Sequence, residues 1–251
     1  MLNIGVIGCG AIGRDHIRRL TDIVPGCQVV ACADYFEESA NKVAAQYEGM
    51  KVYKTGEELI HAPEVQAVVI TSSDPSHAGY VLEALKAGKF VFCEKPLAQN
   101  AGDCEKIIAA ETAHGRRLLQ VGFMRRFDPS YAEAKEKIRA GAIGKPILFK
   151  GVSLDPSSVL EAHLEGVKKG IYVPWFIEMG SHDTDLARWF LEGDPVESFA
   201  TGDAYVCTGL ADYNDYDNGF SLTKFDNNTT AYIQVGRTAT CSHVESEIVG
   251  T

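Results

Sequence analysis

Short apolar runs alternate with helix-like stretches through the first half of the chain, and this alternation constrains the fold more than any other feature. Five runs have the length and β-branched content of buried strands: residues 2–8, 29–34, 67–71, 90–93 and 118–122. Helical patterns lie at residues 12–20, 37–47, 78–87 and 101–114. Strands that alternate with helices pair in parallel, because a parallel crossover needs a connection of helix length. We therefore predict a doubly wound α/β domain with a parallel sheet over residues 1–122.

The second half of the chain has a different pattern. Helices are predicted at residues 129–140, where Gly141 is placed to end the helix, and at residues 181–191. Strands joined by polar turns are predicted at residues 198–207, 219–225, 230–235 and 244–249. Successive strands of this kind form antiparallel sheets. We predict an α+β domain with a mainly antiparallel open sheet over residues 123–251, incomplete at its carboxyl end because Thr251 follows directly on a strand.

The composition and net charge of the chain argue against some classes of binding partner. The formal net charge of the 251 residues is −10, and an acidic surface repels both nucleic acid and anionic lipid. No apolar run approaches the length needed to span a bilayer. The seven cysteines are scattered and none forms a C-x-x-C pair. We expect no nucleic-acid or membrane partner and a reducing, cytoplasmic compartment.

A glycine-rich loop follows the first predicted strand and opens the first predicted helix. Its sequence is Gly8-Cys9-Gly10-Ala11-Ile12-Gly13. A bare G-x-G-x-x-G pattern is weak evidence, but this one has the strand and helix that a Rossmann-type dinucleotide site requires. Gly8 permits the tight turn, Gly10 lets the backbone approach a pyrophosphate, and Gly13 lets the helix pack closely.

Asp34 ends the second predicted strand, at the distance from the loop where such sites carry an acid. A carboxylate accepts hydrogen bonds from the ribose hydroxyls and repels a 2′-phosphate. No arginine or lysine follows, since the next residues are Tyr35-Phe36-Glu37. We therefore expect NAD rather than NADP. The alternative is a doubly wound domain that binds another nucleotide or none.

Two further segments follow predicted parallel strands, at the sheet edge where ligands bind. Glu94-Lys95-Pro96 follows one strand, and Lys95 is placed to bond a substrate oxygen, with Pro96 setting the turn through a cis bond. Thr71-Ser72-Ser73-Asp74-Pro75-Ser76-His77 follows another and is expected to line the same crevice. Alternatives remain open: Lys95 as an ordinary surface residue, and His77 as a helix cap.

Glu178 and His182 are four residues apart, so a helical segment places both on one face. A carboxylate bonded to one imidazole nitrogen leaves the other as a base, which oxidation of an alcohol requires. Metal binding through His182, Asp183 and Asp185 is the rival interpretation. Consecutive residues face different directions on a helix, so no metal is expected, and the two aspartates are interpreted as favourable charges at a helix N-terminus.

Together these motifs resemble those of the glucose-fructose oxidoreductase/inositol dehydrogenase/rhizopine catabolism (GFO/IDH/MocA) family. The resemblance covers essentially the whole chain and rests on residues 8–13, Asp34, Glu94-Lys95-Pro96 and the Gly180-x-His182-x-x-Asp185 pattern. Within the family it is strongest to inositol 2-dehydrogenases, through residues 8–17, 91–97 and 122–128.

The resemblance implies an NAD-dependent oxidoreductase that moves a hydride between nicotinamide and a secondary alcohol of a cyclic polyol or sugar. It implies that Lys95 bonds the reacting oxygen, that His182 takes its proton and that Glu178 orients His182. The implied cofactor-binding residues are Gly8, Gly10, Ile12, Gly13, Asp34, Thr71, Ser72, Ser73, His77, Glu94 and Lys95. The implied substrate-binding residues are Lys95, Arg125, Asp155, Glu178 and His182. It also implies a homo-oligomer, a tetramer or dimer, formed through the open face of the second sheet.

This chain departs from the pattern of inositol dehydrogenases in three places. Glu178 stands where they generally have aspartate, one methylene shorter. Ser153-Leu154-Asp155 replaces a His-Arg-Asn stretch, and Cys241-Ser242 replaces a Gly-Tyr pair. The last two places are expected to face the substrate, so the resemblance does not single out myo-inositol. Family members also continue well beyond the position of residue 251.

Two other functions are compatible with the same motifs. A non-catalytic sensor would bind the nucleotide on the same fold, but it has no need to keep Lys95, an acid and His182 together. A sugar–sugar oxidoreductase would keep them and hold its NAD tightly. The first alternative predicts no turnover, and the second predicts copurified cofactor.

Overall fold

The computed structural model describes residues 1–251, which form two compact units, Met1–Gly122 and Phe123–Thr251. The strands of the first unit are β1 (Leu2–Ile7), β2 (Cys27–Ala33), β3 (Lys51–Tyr53), β4 (Ala67–Ile70), β5 (Phe90–Cys93) and β6 (Leu119–Val121). Its helices are α1 (Ala11–Asp22), α2 (Glu37–Ala44), α3 (Gly56–His61), α4 (Asp74–Lys86) and α5 (Ala101–Ala113). All strand pairs are parallel, in the order β3-β2-β1-β4-β5-β6. The predicted doubly wound parallel sheet is confirmed.

Apolar clusters pack on both faces of this sheet. One contains Leu59, Ile70 and Leu85, and the other contains Val6 and Ile17. Covering both faces explains why the strands read as continuous apolar runs. The prediction lacks β3 and α3, because a strand of three residues and a helix of six are too short to show a period.

The strand order reverses beside β1, which has β2 on one side and β4 on the other. Ligands of doubly wound sheets bind at the carboxyl ends of the strands that flank such a point. The segments that begin at Gly8, Thr71 and Glu94 follow β1, β4 and β5 and therefore share this edge.

The second unit pairs three helices with one mixed sheet. Its strands are β7 (Pro146–Pro156), β8 (Pro195–Asp203), β9 (Asn218–Phe225), β10 (Thr230–Ala239) and β11 (His243–Gly250). Its helices are α6 (Pro129–Arg139), α7 (Leu160–Lys168) and α8 (Trp175–Leu191), with 3-10 turns at Met124–Phe127, Ser157–Val159 and Thr208–Tyr213. The order is β11-β7-β10-β9-β8, and only the β7–β10 pair is parallel. The predicted mainly antiparallel sheet is confirmed.

β7 is absent from the strand pattern predicted for this unit, although it lies inside the sheet and pairs with both β10 and β11. Polar residues interrupt its alternation, because Ser153 is buried on the same face as Phe149 and Gly151. A polar side chain on the core face breaks the apolar signal of a strand. α7 is likewise missing from the prediction.

The predicted helix at residues 181–191 is too short, because α8 begins at Trp175. In the sequence, Gly180 suggests that the helix begins after it. In the structure, Gly180 lies inside α8. The interpretation of Asp183 and Asp185 as charges at a helix N-terminus is therefore wrong, since both lie about two turns into α8. No helix in either unit combines the length and the apolar character needed to cross a membrane.

Candidate active site

The glycine loop of the first unit is built for close backbone contact. Gly8 has a φ of +99°, and a Cβ there would lie 2.5 Å from the Ser72 nitrogen. A Cβ at Gly13 would overlap the Gly8 carbonyl oxygen and lie 2.8 Å from Thr71 Oγ1. Side chains at either position would force the loop away from β4. The two glycines therefore let the loop turn tightly onto the start of α1.

The start of α1 faces open space. A Cβ at Gly10 would meet no atom within 4 Å, and Gly10 caps α1 without a side-chain hydrogen bond. The first turn holds no acidic residue, and Ile12 within it is exposed. The unpaired N–H groups of a helix start whose first turn carries no acid form an anion site. This anion cradle, formed by residues 8–13, therefore fits the pyrophosphate of a dinucleotide.

Asp34 follows β2 and is bonded to this loop. Its Oδ2 accepts a hydrogen bond from the Cys9 nitrogen at 2.6 Å, and its Oδ1 accepts one from the Phe36 nitrogen at 2.8 Å. An ionised carboxylate has about four acceptor sites, so two backbone bonds leave capacity for ribose hydroxyls. The side chain is partly exposed and accessible for this role.

The segment after β4 ties the loops of this edge together. Thr71 Oγ1 donates to the Gly8 carbonyl oxygen at 2.8 Å, and Ser72 Oγ lies 2.6 Å from Ser76 Oγ. The Ser73 carbonyl oxygen accepts a hydrogen bond from the Ser76 hydroxyl at 2.7 Å. These hydroxyl groups hold the backbone of the glycine loop and of the segment after β4 next to each other. The sequence predicts that the cofactor binds along these two segments.

His77 is fully buried under the same edge. Its Nε2 lies 3.0 Å from the Ser72 carbonyl oxygen, and its Nδ1 lies 2.7 Å from the Pro96 carbonyl oxygen. The ring therefore joins the segment after β4 to the turn that carries Lys95. The structure gives His77 a role in positioning these two segments.

The turn after β5 presents Glu94 and Lys95, both partly buried. Glu94 Oε1 lies 2.8 Å from Nε2 of His16, a residue of α1. The Lys95–Pro96 peptide bond is cis. The structure thus places Lys95 at the sheet edge that carries the glycine loop.

In the second unit, α8 carries the predicted acid and base. Glu178 and His182 lie one helical turn apart, on the same side of the helix. Glu178 Oε2 accepts a hydrogen bond from Nη2 of Arg237 on β10 at 2.6 Å. Glu178, predicted from the sequence to orient His182, thus has an arginine partner that the sequence motifs do not indicate.

Asp183, next to His182, forms a buried cluster with two other side chains. Arg125 Nη1 donates to its Oδ1 at 2.8 Å, and Ser153 Oγ donates to its Oδ2 at 2.7 Å. Arg125 Nη2 also donates to Ser153 Oγ at 3.0 Å. Burial raises the pKa of Asp183, while the charge of Arg125 and the Ser153 hydroxyl oppose the rise. Arg125, predicted to bind substrate, is thus already bonded within its own unit.

The other acid near His182 is also paired with an arginine. Arg126 Nε and Nη2 each donate to Asp185 at 2.7 Å. No group of three or more His, Cys, Asp or Glu side chains converges as a metal site would require. Each of the three acids of α8 has an arginine partner.

Arg237 is the site residue that sequence reasoning misses. It is 8% exposed, and its guanidinium lies 3.1 Å from the centroid of the Trp175 ring. Burial lowers its pKa, while the carboxylates of Glu178, Asp155 and Asp215 oppose that fall. The predicted strand ends at Val235, but β10 continues to Ala239 and carries Arg237 inward. The available signal is a charged residue two positions beyond the end of an apolar strand.

Comparison with known proteins identifies the family. Residues 2–123 match the profile described as "Oxidoreductase family, NAD-binding Rossmann fold", and residues 131–251 match "GFO/IDH/MocA C-terminal domain". Inositol 2-dehydrogenase 2 of Saccharopolyspora erythraea is 38% identical over 254 residues, covering 99% of this chain and 71% of that protein. The chain belongs to the GFO/IDH/MocA family. The resemblance stated from the sequence motifs is confirmed.

Two further relatives of this GFO/IDH/MocA chain show how much of a family member it spans. Inositol 2-dehydrogenase of Serratia proteamaculans is 44% identical over 196 residues, which is 78% of this chain but 56% of the relative. The scyllo-inositol dehydrogenase of Lactobacillus casei, solved with bound NAD(H) and scyllo-inositol, is 27% identical with a TM-score of 0.90. That match covers 100% of this chain and 74% of the solved one.

Proposed function

We propose that this chain is an NAD-dependent oxidoreductase that transfers a hydride between nicotinamide and a secondary alcohol of a cyclic polyol or sugar. The observation that carries the proposal is the retention of Lys95, Glu178 and His182 alongside an open anion cradle at α1. A sensor on the same fold would have no use for a lysine, an acid and a histidine at these places. The inositol dehydrogenases among its relatives support the substrate class.

The residues of the first unit fit NAD. Gly8, Gly10 and Gly13 bring the backbone to the pyrophosphate, and the α1 N-terminus balances its charge. Asp34 accepts bonds from the ribose hydroxyls and disfavours the 2′-phosphate of NADP. Bound NAD supplies the acceptor for the hydride that leaves the alcohol carbon.

The chain's own residues handle the hydroxyl proton. His182 accepts it at a ring nitrogen, and Glu178 on the same side of α8 stabilises the imidazolium that results. Lys95 donates a hydrogen bond to the reacting oxygen and stabilises its developing negative charge. Asp155 on β7 offers carboxylate oxygens to the other hydroxyls of the substrate.

Replacement of Lys95 tests the enzymatic assignment. We expect the protein to form NADH with at least one member of a panel of inositols and aldoses, followed by NADH absorbance. We expect Lys95→Ala to lower turnover by roughly 100- to 1000-fold, as for loss of a charge-stabilising donor, while NAD still binds. Lys54→Ala, at an exposed lysine of the same unit, is the matched control. Full activity in Lys95→Ala would contradict the role assigned to Lys95.

The chain is further proposed to form a homo-oligomer, a tetramer or dimer, through the open face of the second sheet. Phe199 on β8 lies opposite Leu222 on β9, and Phe220 lies opposite Thr201 in the next row of the same face. Phe199 is 67% exposed, Leu222 51% and Phe220 42%. Contiguous exposed apolar residues of this kind mark interaction surfaces. We also propose a reducing cytoplasmic location, in keeping with buried free thiols at Cys9, Cys32 and Cys93.

A further inference from the structure

Two aromatic residues directly follow Asp34, the acid proposed to hold the cofactor ribose. Tyr35 is 96% exposed and Phe36 is 68% exposed. Both lie between β2 and α2, at the carboxyl edge of the sheet that also carries the glycine loop. Neither side chain belongs to the apolar clusters on the two faces of that sheet. The two rings are therefore available to a ligand that binds at this edge.

The backbone of this segment is fixed, although its rings are exposed. Asp34 Oδ1 accepts a hydrogen bond from the Phe36 nitrogen at 2.8 Å, and Oδ2 accepts one from the Cys9 nitrogen at 2.6 Å. Phe36 is the N-cap of α2, and its carbonyl oxygen accepts a hydrogen bond from the Ser39 nitrogen at 2.8 Å. One carboxylate thus links the glycine loop to the segment that carries Tyr35.

The two rings also restrain each other. Their centroids lie 5.1 Å apart, and their planes are inclined by 89°. An edge-to-face arrangement of this kind is favourable for an aromatic pair. Because Tyr35 is almost fully exposed, the contact with Phe36 leaves most of its ring surface open. Tyr35 therefore presents a flat apolar surface next to the ribose acid.

The position of this surface indicates which part of a dinucleotide meets it. In the proposed function, the start of α1 binds the pyrophosphate and Asp34 binds the hydroxyls of the adenosine ribose. The adenine base is joined to that ribose by a single bond, so residues that adjoin Asp34 are within its reach. Glu37 and Glu38 in the first turn of α2 repel a further phosphate here. An uncharged base meets no such repulsion, and its π face stacks on aromatic side chains.

We propose that Tyr35 is the stacking surface for the adenine base of the cofactor, with Phe36 restraining its ring. This inference rests on the proposed function, because it takes the bound nucleotide to be NAD. It adds an adenine subsite that the sequence motifs do not indicate. The base takes no part in hydride transfer, so the stack contributes to the binding of NAD rather than to the chemical step.

Binding of ADP-ribose, which is NAD without the nicotinamide, tests the subsite by calorimetry and needs no turnover. Tyr35→Ala should weaken ADP-ribose and NAD by the same factor, roughly 5- to 100-fold, as for loss of one stack between a base and an aromatic ring. Tyr35→Phe keeps a flat ring and should bind both ligands nearly as the wild type does. Tyr35→Leu, which is apolar but not flat, should lie between these two variants.

The matched control is Tyr205→Ala, which removes a 66% exposed tyrosine of the second unit and should bind ADP-ribose as the wild type does. Thermal melting of every variant checks folding, and Tyr35→Ala should melt near the wild type because its side chain lies outside the apolar clusters. In turnover, KM for NAD should rise in Tyr35→Ala by about the factor lost in binding, while kcat at saturating NAD should not fall.

The outcomes separate this inference from the proposed function. Unchanged affinity for ADP-ribose in Tyr35→Ala would overturn the adenine subsite, and NADH formation by the wild type would still support the oxidoreductase. Equal losses of affinity in Tyr35→Phe and Tyr35→Ala would also overturn it, because the phenylalanine keeps the stack. Binding of ADP-ribose that depends on Tyr35, without turnover of any polyol or sugar, would refute the proposed function instead. A wild type that binds neither NAD nor ADP-ribose would overturn both.

Discussion

The three glycines of the loop after β1 differ in the physical reason that each position favours glycine. Gly8 adopts a left-handed φ of +99°, which L side chains disfavour. Gly13 allows contact between the helix and the Gly8 carbonyl oxygen, where no Cβ fits. Gly10 is neither strained nor crowded, since a Cβ there would meet nothing within 4 Å. The fold of the loop therefore needs Gly8 and Gly13 but not Gly10, and we propose that the small size of Gly10 serves the ligand.

This difference predicts opposite outcomes for two alanine substitutions. We expect Gly13→Ala to lower the free energy of unfolding by about 1–3 kcal/mol, through the clash with backbone. We expect Gly10→Ala to leave it within about 0.5 kcal/mol, as for an uncrowded site, while weakening NAD binding. Urea denaturation and a titration with NAD measure the two effects. Equal losses of stability in both variants would contradict the distinction.

At the scale of elements, α8 matters most, because it carries Glu178, His182 and Asp183. No side chain of its own caps its start, since Pro174 precedes it. Asp215, 40 residues away in sequence, accepts the hydrogen bond from the Trp175 nitrogen. Its other oxygen lies 2.8 Å from His163 Nε2 on α7. A distant carboxylate thus both caps α8 and holds α7.

Removal of this carboxylate should loosen α8. We expect Asp215→Ala to lower the free energy of unfolding by about 2–4 kcal/mol, because it leaves a buried N–H and His163 without an acceptor. Asp215→Asn, which keeps an oxygen for Trp175, should cost less. Asp212→Ala, at an exposed position nearby, is the control and should change little. Chemical denaturation followed by circular dichroism makes the comparison. A loss in Asp212→Ala as large as in Asp215→Ala would argue against the capping role.

The two units bury their apolar surface in different ways. The six-stranded sheet has apolar clusters on both faces, whereas the five-stranded sheet packs its helix side around Phe149, Phe190 and Ile233. Its other face keeps Phe199 and Leu222 exposed in register. An exposed apolar row on one face of this sheet is the basis of the proposed self-association.

Charge placed in this row should separate the subunits. We expect the wild type to sediment as a dimer or tetramer, and Leu222→Glu to sediment as a smaller species, because burial of an unpaired carboxylate opposes association. Ile108→Glu changes another exposed apolar residue, in the first unit, and should leave the mass unchanged. Analytical ultracentrifugation gives the masses. A wild type that is monomeric at micromolar concentration would refute the association.

Local patterns in the sequence are sufficient for the doubly wound fold class of the first unit and for its glycine loop, but not for the short β3 and α3. Apolar runs of strand length, the spacing of Gly8, Gly10 and Gly13, and the position of Asp34 are each encoded within a few residues. The i, i+4 spacing likewise places Glu178 and His182 on one side of α8. β7 and α7 are not predicted, because buried polar residues such as Ser153 and His163 interrupt their apolar periods.

The partners of the charged residues are decided only by the tertiary structure. Arg237 meets Glu178 across 59 residues, Arg125 meets Asp183 across 58, and Asp215 meets Trp175 across 40. A carboxylate and a guanidinium at such separations leave no local pattern, because the fold alone brings them to one place. Burial then makes each pairing obligatory, since an isolated charge inside the protein is too costly to keep. The sequence by itself therefore determines the framework and the types of reactive groups, and packing determines which charges act together.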